Sequence, residues 1–187
     1  APLCEYVVAP GPGERPVREC IDYLQRTNLL LVALGDRQDW YRYHHLLEEF
    51  LRLRGLETWG QEQVSAWHRR AAEWLLRQEL IDEAIRHALA AGDLQLAALA
   101  MERGLCAVLN RPDPPTLRRW LDLIPVDFRR SRPGLLLIEA LVLHFSYRYG
   151  ELAALLPQIE TLLALPSQAA EVPRPGEEGL AQGQVLV

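Results

Sequence analysis

Apolar residues recur along most of this chain every three to four positions, the period of an amphipathic helix, and one early stretch departs from it. Val17, Cys20, Ile21 and Leu24 mark a helix running through Arg26. Leu29 to Leu34 is instead an unbroken apolar run, and Gly35-Asp36-Arg37-Gln38-Asp39 carries turn chemistry. Trp40-Tyr41-Arg42-Tyr43 then supplies aromatics that favour extended backbone, so the stretch predicts a β-hairpin. From His44 through Arg54 the helical period returns in Leu46, Leu47, Phe50, Leu51 and Leu53. With the Ala9-Pro10-Gly11-Pro12-Gly13 loop before it, helix, hairpin, helix reads as the second half of a winged-helix domain. We assign this partial domain to residues 1–55.

Residues 56–187 predict helices only. Val64, Trp67, Ala71, Trp74 and Leu75 form one stripe, and Ile81, Ala84, Ile85, Ala88 and Leu89 the next. Gly92 stands where a C′ glycine ends a helix, and Asp93 is placed to cap the following one, which extends to about Asn110. Pro112-Asp113-Pro114-Pro115 breaks the chain before a short helix with Leu117, Trp120, Leu121 and Ile124, which Pro125 stops. Pro133 fits the first turn of a helix carrying Leu137, Ile138, Leu141, Val142 and Phe145. Gly150 is read as punctuation before Leu152, Leu155, Leu156, Ile159, Leu162 and Leu163, with Pro157 kinking that last helix near its start. Pro166 to Glu178 reads as an exposed loop, with a final helix from about Glu177. Helices paired by short turns make a tetratricopeptide-like array of antiparallel hairpins, truncated at its C-terminus. The fold class expected is therefore mainly α: a partial winged helix with one short hairpin, then helical hairpins.

Composition narrows the picture modestly. Of 187 residues 49% are hydrophobic and 24% charged, a globular balance, and the net charge of −5 gives no overall basic field for nucleic acid. All 20 basic residues are arginine. Cys4, Cys20 and Cys106 are odd in number and lack CxxC spacing, which fits neither a disulfide framework nor a zinc site. No apolar window has the length of a membrane span, so a soluble, cytoplasmic protein is expected. Starting at Ala1 and stopping within apolar Val185-Leu186-Val187, the chain reads as an interior piece of a longer one. Leu3, Tyr6, Val7 and Val8 at one end, and Leu180 with Val185 to Val187 at the other, are expected to lack covering neighbours and to drive weak self-association.

Signatures of catalysis are missing: no GxxxxGK[ST], GxGxxG, HExxH, GxSxG or EF-hand pattern occurs. The segment with chemical interest is Arg42-Tyr43-His44-His45, where two histidines follow a strand and open a helix. Free backbone N–H groups and the helix dipole there favour an anion, with imidazole and Arg42 as donors. The alternative is structural, with His44 and His45 as a cap and a packing residue. His68, His87 and His144 fit structural positions on helix stripes or edges, and the five tryptophans fit core packing. Arg69-Arg70, Arg118-Arg119 and Arg129-Arg130 with Arg132 fit a solvated face, Arg69 pairing with Glu73 one turn on, or else contact with an acidic partner.

The run Trp40-Tyr41-Arg42-Tyr43-His44-His45-Leu46-Leu47, with Phe50-Leu51-Arg52 after it, closely resembles the WYRYHHLF signature of the MalT-like branch of LuxR-type regulators. Leu24 to Leu31 resembles the LxxANLF stretch preceding it in that family. His68-Arg69-Arg70-Ala71-Ala72-Glu73-Trp74 and Glu83 to Asp93 resemble its HRRAAxW and EAIxHALAAGD blocks. The resemblance implies a place between an upstream P-loop nucleotide-binding domain and further repeats, in a chain ending in a DNA-binding helix-turn-helix. It implies ATP or ADP as the cofactor of the whole protein, none for this chain alone, and an inducer or protein partner for the repeat arm. His44 is similar in position to the winged-helix histidine that related ATPases set against nucleotide phosphates, while His45 stands where distant relatives often carry an acid. The function expected is non-catalytic: relay of nucleotide state and of inducer or partner binding, with no enzyme activity, membrane contact or direct DNA contact by this chain. Two rivals are a DNA-binding winged helix and a small hydrolase using His44 and His45. The first is opposed by Glu14, Glu19 and Asp22 offsetting Arg15, Arg18 and Arg26, the second by the lack of a nucleophile or convergent acid.

Overall fold

The computed structural model describes residues 2–8, 16–27, 31–33, 41–43, 45–110 and 113–164, without the side chains of 31–33, 41, 42, 45, 46 and 106–110. It is mainly α-helical. Helix α1 (Pro2–Val8) precedes α2 (Val17–Arg26), and strands β1 (Leu31–Ala33) and β2 (Tyr41–Tyr43) pair antiparallel with Val32 opposite Arg42. Helix α3 (His45–Arg77) follows, broken only at Gly60, where φ 74° and ψ 166° leave the helical region. The array continues with α4 (Ile81–Ala90), α5 (Leu94–Asn110), α6 (Pro114–Asp122), α7 (Val126–Arg130), α8 (Pro133–Phe145) and α9 (Tyr149–Ala164).

Three turns of the array are built alike. The N–H of Leu80 reaches back to the carbonyl of Leu75, Asp93 to Ala88 and Arg148 to Leu143, at 2.9–3.0 Å. Each is a Schellman closure, which needs one residue in the left-handed region at C′. Gly92 takes it at φ 74°, as its position predicts, whereas Glu79 (φ 60°) and Tyr147 (φ 58°) take it without being glycine. The turn before α9 therefore belongs to Tyr147, and Gly150 lies inside α9 instead of punctuating the chain. A glycine was the only signal for this conformation visible in the pattern, so the turn was placed too late.

Caps follow side-chain chemistry. Asp93 Oδ1 accepts from the N–H of Leu96 at 2.9 Å and starts α5, and Asp113 Oδ1 accepts from Thr116 N–H at 3.3 Å and starts α6. Pro133 opens α8 in its first turn as expected. The short α7 after Pro125 was not foreseen; five residues carry too little periodicity to register. Pro157 sits in mid-helix, and α9 continues through it to Ala164.

The core runs along the array. Leu75, Ile85, Met101, Leu117, Trp120, Leu135 and Ile138 are essentially buried in one cluster, while Leu136, Ala140, Leu143, Leu155 and Ile159 form a second between α8 and α9. Helix α8 thus buries one face against its hairpin partner α9 and the opposite face against the helices before it, the arrangement of a stacked array. Trp59 departs from the core expectation: it is 57% exposed and meets Trp67 edge-on at 5.2 Å between centroids. Arg69 does not pair with Glu73; it reaches Asp93 across the hairpin at 2.8 Å. A partner fixed by folding displaced the one fixed by sequence spacing.

The N-terminal segment also corrects an expectation. Leu3, Tyr6, Val7 and Val8 are expected to stand uncovered; Val8 does, at 49% exposed, but α1 packs on α3, with Leu3 joining the main core and Tyr6 and Val7 partly covered. Its amphipathic turn finds a partner in the first array hairpin in place of the rest of a winged helix. Residues 165–187, including the foreseen loop and final helix, lie outside the described residues, as does the Ala9–Gly13 loop.

Candidate functional site

Of the residues singled out for phosphate chemistry, His44 lies outside the described residues. Arg42 contributes only its backbone in β2, and His45 only its backbone as the first residue of α3. What is described is the setting: β2 ends at Tyr43 and α3 starts at His45, the strand-to-helix order foreseen. Tyr43 is half-buried there, and burial, reinforced by the charge of Cys4, raises its phenol above the usual range.

Beside it, α1 docks on the second part of α3. Arg70 Nη2 donates to the carbonyl oxygen of Tyr6 at 2.5 Å, Arg77 Nη2 donates to the Tyr6 hydroxyl, and both guanidinium groups lie over the Tyr6 ring, at 5.6 and 4.8 Å. Two cations against one aromatic ring bind as hydrogen-bond donors and through the ring quadrupole together. Arg70 and Arg77 on α3 thus hold the same short helix, and Trp74 between them packs on the main core, as Leu3 does.

Beneath α1 lies a cavity of about 310 Å³ with Leu3, Val7, Val64 and Trp67 among its walls. Its polar edge is His68 on α3 and His87 on α4, whose Nδ1 atoms are 2.9 Å apart. One ring must donate and the other accept, so at least one stays unprotonated at Nδ1. Burial lowers the pKa of His68. Burial, then the neighbouring His68 and Arg86, lowers His87 to about 4. Helical periodicity marks both as structural histidines but does not pair them. The available signal was their near-equal distance from the Gln78-Glu79 turn, which an antiparallel hairpin brings face to face. His144 is exposed and makes ring contacts with Phe145 and Tyr149.

No group of three or more metal-ligating side chains gathers among the described residues, and no described helix is long and apolar enough to cross a membrane. Cys4 and Cys20 are exposed free thiols.

A short hairpin of strands leading into a long helix, docked by an N-terminal helix onto antiparallel helical hairpins, defines the class: a winged-helix end joined to a helical-repeat array. The family model described as the MalT winged helix domain matches residues 1–63. The HTH-type transcriptional regulator MalT of Klebsiella pneumoniae (strain 342) is 30% identical over 158 residues, covering 84% of this chain. The similarity to MalT thus takes in the winged-helix end and continues into the array. The chain spans 17% of the length of that relative. No solved structure matches it.

Proposed function

We propose that this chain is the relay segment of a MalT-like, ATP-dependent transcriptional regulator. The hairpin end, residues 1–55, reports the nucleotide state of an upstream nucleotide-binding domain, with His44 as phosphate sensor assisted by Arg42 and His45. The hairpins of residues 56–187 begin the arm that receives an inducer or protein partner and continue into downstream repeats. The segment itself is non-catalytic; ATP or ADP belongs to the whole protein. The name of the Klebsiella relative, a transcriptional regulator, supports the regulatory context.

The observation that carries the relay reading is the clamp of Arg70 and Arg77 on Tyr6. It couples the hairpin end to the array at a second point besides the covalent path through α3. A displacement of the hairpin end on nucleotide exchange then loads α3 directly, instead of being lost at the break at Gly60.

The test uses the full-length protein. His44→Ala is expected to release resting-state ADP faster and raise basal transcription, whereas Tyr6→Ala is expected to leave ADP retention near normal and to weaken the transcriptional response. Unchanged ADP retention and basal activity in His44→Ala would remove the sensor role. An unaltered response in Tyr6→Ala would remove the relay through α1.

A further inference from the structure

A second cavity, of about 410 Å³, opens in the groove between α6 and α7 on one side and the hairpin of α8 and α9 on the other. Arg118, Arg129 and Arg148 converge on it with Asp122, Glu139 and Glu151, while Leu121 and Val142 help to form its floor. The three arginines are not equivalent. Arg148 is engaged on both sides of its fork by Glu151, at 2.6 and 2.5 Å. Arg118 has no ion-pair or hydrogen-bond partner among the described residues. Arg129 has its Nε–H in a buried position with no acceptor among the described residues, the one buried side-chain polar atom there in that condition.

Folding leaves a buried guanidinium N–H unpaired only at a cost comparable to a lost charged hydrogen bond, so an orphan on a side chain that lines a cavity points to an acceptor that arrives from outside. A guanidinium presents two parallel donors, a geometry matched by phosphate and carboxylate oxygens. Asp122 and Glu139 face the same space as acceptors and disfavour a ligand that is anionic throughout; they match hydroxyl donors on the rest of the molecule. The volume suits a compact organic molecule, about a dozen waters' worth of space.

We propose that this groove is a binding site for a small polyhydroxylated organic anion, its phosphate or carboxylate held by Arg129 and Arg118 and its hydroxyl groups by Asp122 and Glu139. The site lies in the array, apart from the histidines at the hairpin end, and does not depend on the relay reading. An occupant would bridge α6, α7, α8 and α9 and so fix the angle between α6–α7 and the α8–α9 hairpin.

The test titrates the chain with glycerol 3-phosphate, glycerate, inorganic phosphate and glycerol, following the Arg129 Nε–H resonance and the heat of binding. Saturable binding of glycerol 3-phosphate or glycerate that shifts this resonance is expected; which of the two binds tighter identifies the anionic group. Arg129→Gln and the exposed Arg118→Gln should each weaken it roughly tenfold, and Arg103→Gln, remote from the groove, should not. Helical circular dichroism confirms that each variant folds, and Arg118→Gln decides the matter if Arg129→Gln does not. Absence of saturable binding, inorganic phosphate binding as tightly as either organic anion, or an affinity indifferent to Arg118→Gln overturns the proposal.

Discussion

Glu79 and Tyr147 hold left-handed backbone at φ 60° and 58° where the third such turn uses Gly92. A residue with a Cβ pays roughly 1 kcal/mol there, and neither side chain is buried in return. Glu79→Gly and Tyr147→Gly are therefore expected to stabilise the chain by about 0.5–1 kcal/mol each, and Gly92→Ala to destabilise it by about 1 kcal/mol, read from urea midpoints at constant slope. A loss of stability in both glycine variants would show that local contacts outweigh backbone strain. The His68–His87 pair sets a pH response. Both rings have lowered pKa values in the folded chain, His87 to about 4, while the unfolded chain protonates them near 6.5. The unfolded state thus binds more protons between those values, so stability is full above about pH 6.5 and falls as pH drops toward about 4. Unfolding free energy measured at pH 7 and pH 5 should decrease, and His87→Gln should flatten that decrease; an equal slope in the variant would assign it to other groups.

At the scale of elements, Asp93 has two tasks at the α4–α5 junction. One carboxylate oxygen caps α5 through Leu96 N–H, and the other meets Arg69 at 2.8 Å. Arg69 is largely exposed, so the ion pair contributes little and the cap dominates. Asp93→Ala is expected to cost about 1–2 kcal/mol in chemical denaturation, while Asp93→Asn, which keeps a capping oxygen, should cost under about half of that. Equal losses would shift the weight to the ion pair. This junction also shows what local pattern conveys. The cap, the C′ glycine and the proline-led starts were legible because each depends on one or two neighbouring residues. The αL roles of Glu79 and Tyr147 were not, because neither residue type advertises that conformation.

For the molecule as a whole, each hairpin covers the apolar face of the one before it, and α9 is the last described helix. Its Leu156 and Leu163 are 46% and 60% exposed, while Leu155 and Ile159 on its other face are buried against α8. Apolar surface of this kind returns about 25 cal/mol per Å² when covered, enough for weak pairing between chains. Sedimentation of the 187-residue chain is expected to show concentration-dependent association, and Leu163→Glu to weaken it. A monomer at all concentrations would refute this, and association unaffected by Leu163→Glu would move the contact elsewhere. The N-terminal face expected as a second sticky end is partly occupied, because α1 lies on α3 and leaves Val8 exposed.

Sequence alone determined the helix–hairpin–helix order, the antiparallel array and most boundaries, because periodicity, proline and glycine act within a few residues of where they stand. It also carried the family resemblance, through the run from Trp40 to Leu47 and the blocks near His68 and Glu83. Tertiary structure decided which residues meet across helices. Arg69 went to Asp93 instead of Glu73, Tyr6 to Arg70 and Arg77, His68 to His87, and Arg129 to a groove where its Nε–H has no acceptor among the described residues. Each of these pairings depends on the angle and register at which two helices pack. Those are set by how many side chains interlock at once, a property that no single stretch of sequence contains.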